Sequence, residues 1–123
     1  MQNRPNATIH AAPILAKLRQ LPPSMPNAVL VAFDGVRGEA FDVAAATRGL
    51  RTRADAKDEA YFASRGFEGT RGFYRRYLRL GAVLVWRDGA AGDDRVTVWR
   101  NGSARIPVSD RAMRACAACL RLA

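Results

Sequence analysis

The residues best able to do chemistry in this chain are arginines. Between Arg65 and Arg79 there are five, Arg65, Arg71, Arg75, Arg76 and Arg79, against a single acid, Glu68. A merely solvated helix more often mixes both signs, whereas planar guanidinium forks grouped this way suit phosphates and guanine edges. A solvated face or an acidic protein partner is the plainer alternative. Other candidates carry less. Cys116 and Cys119 form a C-x-x-C pair in RACAACLRLA, but no second ligand pair follows and the only histidine, His10, lies near the other end of the chain. A structural zinc site wants four ligands, so both cysteines read as small buried core residues. A lone histidine also leaves a Ser or Cys nucleophile with no evident base. The acid pairs Asp58/Glu59 and Asp93/Asp94 fall on a polar stretch and in a turn-rich segment, where solvated carboxylates are expected. FDGVRGE, Phe33 to Glu39, has two glycines without the GxxxxGK[ST] spacing of a phosphate loop. No catalytic residue, metal site or cofactor follows, and the expectation is a protein that is not an enzyme.

The charge balance points toward a polyanion. Twenty Lys+Arg against eleven Asp+Glu give +9 over 123 residues, an excess that favours polyanionic partners. It is uneven: residues 1–64 carry eight basic and six acidic side chains, and residues 65–123 carry twelve and five. Eighteen of the basic residues are Arg, a preference that genomic composition alone can produce. An apolar share of 49% with 25% charged residues is that of an ordinary globular protein with one core, so residues 1–123 read as a single domain. No apolar run approaches the length of a bilayer span, and Met1 to Pro5 is polar, without a secretory hydrophobic stretch. The expected location is the cytoplasm, with no membrane partner.

Positioning those arginines is the work of the elements around them. Residues 1–6 read as a loose terminus, followed by a short helix from Pro13 to Gln20 with Ile14, Leu15 and Leu18 on one face. Pro22, Pro23 and Pro26 make a stiff connector. NAVLVAFDGV, Asn27 to Val36, fits a buried helix or a strand equally well. Phe41 to Leu50 predicts a helix ended by Gly49, and Thr52 to Arg65 a half-exposed one. After the break Gly66 to Gly72, a basic helix from Phe73 to Leu80 puts Phe73, Tyr77 and Leu80 inward and Arg75, Arg76 and Arg79 outward. Phe67, Phe73, Tyr74 and Tyr77 fall at core spacing. Ala82 to Trp86 and Arg95 to Arg100, joined by RDGAAGDD, predict a β-hairpin on which Trp86 and Trp99 make a cross-strand or core contact. A short edge strand over Ile106 to Val108 and a terminal helix capped by Ser109, residues 109–122, complete the chain.

The order helix, helix, basic helix, glycine, hairpin over residues 27–102 resembles the winged helix-turn-helix family. Ala45 and Gly49 in VAAATRGL, the junction YLRLGAVLVWR from Tyr77 to Arg87, and the turn-rich Asp88 to Asp94 followed by RVTVWR carry the resemblance. It implies an α+β fold, a small winged-helix-like domain whose helices precede a C-terminal hairpin wing and a terminal helix. A basic helix would lie in the major groove and the wing would reach neighbouring backbone. On this resemblance Thr70, Arg71, Tyr74, Arg75, Arg76 and Arg79 would touch bases or phosphates, and Arg87 and Arg95 would be wing contacts. Gly49 and Thr70 are twenty residues apart, where the family has a short turn, so either an extra helix is inserted or Thr52 to Arg65 is itself the third helix.

Two functions follow. The first is a bacterial or phage DNA-binding transcriptional regulator with double-stranded DNA as partner and room for a homodimer through the terminal helices. The second is a small phage or mobile-element inhibitor, anti-CRISPR-like, that binds a host protein or nucleoprotein complex. Salt-sensitive retention of duplex DNA separates them.

Overall fold

Val, Leu and Ala in alternation settle the ambiguous stretch: Ala28–Asp34 is a strand. The computed structural model describes residues 6–34, 42–88 and 95–122. Their order is α1 (Asn6–Leu18), β1 (Ala28–Asp34), α2 (Val43–Asp55), α3 (Glu59–Ala63), α4 (Gly69–Tyr77), β2 (Ala82–Asp88), β3 (Val96–Arg100) and α5 (Asp110–Leu122). The protein is α+β, with a three-stranded mixed sheet in the order β1-β2-β3. β1 runs parallel to β2 in the register Val29↔Val83 and Val31↔Val85, and β2 pairs antiparallel with β3. A parallel pair needs a long crossover, which α2, α3 and α4 provide here.

Alternation along the strands divides the side chains between two cores. Val29, Val31, Val83 and Val85 face a layer built by α1, α2, α3 and α4, where Ile14, Leu18, Leu50, Phe62, Phe73 and Tyr77 are buried. Phe62 stacks on Phe73 with centroids 4.7 Å apart, and Phe73 stacks on Tyr77 at 5.6 Å. Ala82, Leu84 and Val96 face the other way, onto Val108 and the α5 residues Met113 and Ala117. The two tryptophans lie on opposite faces, Trp86 against the smaller core and Trp99 against the larger, so they make core contacts and not a cross-strand pair.

Several expectations need correction. The first helix begins at Asn6 and carries Pro13 inside it, because the burial of Ile14, Leu15 and Leu18 holds the turn that proline weakens. Gly49 does not end the second helix. α2 runs on to Asp55, since Val43, Ala46, Thr47, Leu50 and Ala54 form one continuous buried face that outweighs the helix penalty of about 1 kcal/mol for one glycine. Thr52 to Arg65 is therefore not one helix: it contains the end of α2, a turn in which Lys57 has φ 61°, and the short α3. The basic helix starts earlier and ends earlier than expected, at Gly69 and Tyr77. Ile106 to Val108 is irregular chain, not a strand. Cys116 and Cys119 are exposed on α5, because its buried stripe runs through Met113 and Ala117. The hairpin and the Ser109 cap, whose Oγ accepts the Ala112 N–H, stand as read. Most of FDGVRGE and the hairpin tip with Asp93 and Asp94 lie outside the described residues.

Candidate functional site

Helix α4 leaves orphan carbonyls at its C-terminal end, and the groups that satisfy them build the site. The buried side chain of Asn101 donates to Tyr77 O and Leu80 O. Asn27 Nδ2 lies 2.9 Å from Arg79 O, and also within hydrogen-bond distance of Pro22 O and Met25 O. Arg105 N–H donates to Leu78 O at 2.8 Å. Two distant segments, the proline connector and the loop after β3, are thereby fastened to the end of one helix.

Their attachment creates a cleft of about 150 Å³ lined by Pro23, Met25, Arg75, Leu78, Arg79, Arg105 and Ile106. Three arginines and four apolar residues line it, and no acid does. Arg79 Nη1 donates to Leu21 O, which fixes its stem, and Arg75 pairs at the exposed rim with Glu68 at 3.0 Å. Arg76 points along the neighbouring surface, donating to Arg19 O at 2.7 Å. The Arg19 guanidinium lies against Gly66, where φ is 90° and an added Cβ would come within 2.7 Å of it. Cations at a helix C-terminus are also favoured by the helix dipole, which accounts for part of this clustering without any ligand.

The opposite end of α4 is already occupied by an anion. Glu59 Oε1 accepts the Thr70 N–H at 3.0 Å and Oε2 accepts the Thr70 hydroxyl at 2.9 Å. The backbone hydrogen bond from Thr70, followed by the hydroxyl bond, holds the Glu59 carboxyl below its ordinary value. Gly69, with φ 67°, makes the seat: a Cβ there would stand 2.1 Å from Glu59 Oε1.

The residues expected to touch nucleic acid therefore divide. Arg75 and Arg79 share a cleft with no acid in its lining, and Arg76 lies outside that lining, donating to Arg19 O. Thr70 is only 8% exposed and spends its hydroxyl on Glu59, so it offers nothing to a partner. Arg71 and Tyr74 line a second cleft with Asp55, Lys57 and Glu59, where charges of both signs meet. The Tyr74 hydroxyl donates to Asp55 at 2.6 Å, and burial, then that bond, raises its pKa. Arg87 lines a third cleft beside Asp42, Thr97 and Trp99, and its backbone N–H donates to Arg95 O across the hairpin. Sequence reasoning missed Arg105 because it sits in irregular chain, where spacing gives no face; the nearest signal was its place soon after the turn Asn101-Gly102.

Among the described residues no group of three or more His, Cys, Asp and Glu could hold a metal ion. None of the described helices is long and apolar enough to cross a membrane. No family model, no curated protein and no solved structure matches this chain.

Proposed function

We propose that this domain binds DNA as a regulatory protein, docking the arginines gathered at the C-terminal end of α4 on the phosphate backbone. The observation that carries the reading is the meeting of Arg75, Arg79 and Arg105 in one cleft whose lining holds no acid. Each guanidinium presents a planar fork suited to a phosphate, and binding releases condensed counterions from the nucleic acid. Arg76 follows Arg75 on α4 and donates to the Arg19 backbone carbonyl. In this reading α4 is the docking helix and the β2–β3 hairpin is the wing of a winged-helix-like arrangement. Helices α2, α3 and α4 ahead of the β2–β3 hairpin support that assignment, whereas β1, a strand paired parallel to β2, departs from the run of helices on which the resemblance rests and weakens it.

The test is binding of the purified protein to random duplex DNA across a salt series, with Arg75→Glu/Arg105→Glu as the comparison. These two are chosen because the Arg79 side chain also holds the Leu21 carbonyl. The wild type is expected to show a log–log salt slope of roughly −0.9 per phosphate neutralised. The double variant is expected to lose most of its affinity. Undiminished binding by the variant, or no salt-sensitive binding by the wild type, sinks the reading.

A further inference from the structure

We propose that the same cleft receives the base of one unstacked nucleotide, with Arg75, Arg79 and Arg105 holding the adjoining phosphates; this rests on the nucleic-acid reading above. Phosphate contact alone explains the three arginines but not the four apolar residues that line the cleft with them. Pro23, Met25, Leu78 and Ile106 line the cleft together with the arginines, and Met25 is 51% exposed, one of four large hydrophobic side chains left open to water among the described residues. Apolar side chains set among cations suit a flat ring with apolar faces joined to an anionic tail, which is the chemistry of a nucleotide. The size agrees: the cleft volume is about 150 Å³, and cavities of roughly that volume accept a single aromatic ring.

The walls are set before any ligand arrives. Asn27 ties the Met25 side of the cleft to Arg79 O, and the Arg105 N–H ties the Ile106 side to Leu78 O. A preformed cleft spares the ligand the ordering of these segments. A base paired and stacked in a duplex exposes only its edge in a groove, so it enters such a cleft only after leaving the stack. Leaving costs least where the base is already unpaired. The preferred ligand is therefore DNA with a single-stranded end or bulge, and the recognition is of an exposed base together with its backbone.

The experiment uses three labelled DNAs in fluorescence anisotropy: a fully paired duplex, the same duplex with a short single-stranded overhang, and that overhang with abasic nucleotides. The last two carry the same phosphates. The wild type is expected to bind the overhang about tenfold more tightly than its abasic counterpart, the effect of burying roughly 50–60 Å² of apolar surface. Met25→Ala, which trims a half-exposed side chain, is expected to erase that preference while leaving the salt slope of the wild type. Equal affinity of the wild type for base-bearing and abasic overhangs overturns the base pocket and leaves backbone docking standing. Absence of salt-sensitive binding to all three DNAs overturns both.

Discussion

The cleft at the carbonyl end of α4 and the cleft beside the hairpin each combine arginine with apolar residues, yet only the second has an acid in its lining. In the first, Arg75, Arg79 and Arg105 arrive from two separate stretches of chain and meet no acid in the lining. In the second, Arg87 shares the lining with Asp42, whose carboxylate already accepts the Ala45 N–H as the cap of α2, and with Trp99. A third surface, around Arg71 and Tyr74, places Asp55 and Glu59 beside Arg71 and Lys57. Density of arginine along the chain does not by itself make a binding surface. On the proposed reading the difference lies in where the countercharge sits: Glu68 pairs with Arg75 only at the exposed rim, whereas a carboxylate in the lining competes with a phosphate for the same donors.

The sharpest way to break this comparison is to remove charge from the two clefts separately. Arg75→Ala/Arg105→Ala is expected to weaken DNA binding by about 100-fold at low salt and to make the salt slope shallower by roughly one per arginine. Next in size is Asn101→Ala, which leaves the Tyr77 and Leu80 carbonyls without their buried donor. It is expected to cost about 1–3 kcal/mol in urea unfolding, with weakened DNA binding because the loop carrying Arg105 loses its anchor; an unchanged unfolding midpoint contradicts this account of how the cleft is held. Arg87→Ala is the contrasting control. Its expected effect on binding is less than about threefold, the size of a peripheral charge contact, and a loss matching that of the double variant would move the interface to the hairpin.

The smallest effect concerns the far end of α4. The Glu59 carboxyl is held below its ordinary value of 4.5 by the Thr70 bonds, so its charge stabilises the fold above the unfolded carboxylate pKa. That contribution is lost as pH falls through the folded value. The melting temperature of Glu59→Gln should fall below that of the wild type at pH 7, and the gap should close below about pH 4.5. A gap of constant size across this range would assign the effect to shape and not to charge.

Much of the local structure was legible. The hairpin announced itself through β-branched strands around a turn-rich segment, the last helix through Ser109, and the inner face of α4 through Phe73 and Tyr77, all of which depend on neighbours a few residues away. Three misreadings share one cause. Gly49 looked like a stop, but its helix gains more from Leu50 and Ala54 on the buried face than glycine costs. Thr70 looked available, but Glu59 takes both its amide and its hydroxyl from eleven residues away. The cysteines looked buried, but the helix phase is set by Met113 and Ala117 against the sheet.

By itself the sequence determined the excess of positive charge, the α+β composition and which aromatic residues face inward, because these follow from side-chain type and short periods. The parallel place of β1 beside β2 and the company each arginine keeps were decided by tertiary structure alone. Asn27 reaches Arg79 O across 52 residues, and Asn101 reaches Tyr77 O and Leu80 O across 24 and 21. Buried carbonyls at a helix end must find donors wherever the fold can bring them, and in finding them this chain draws Arg105 to Arg75 and Arg79.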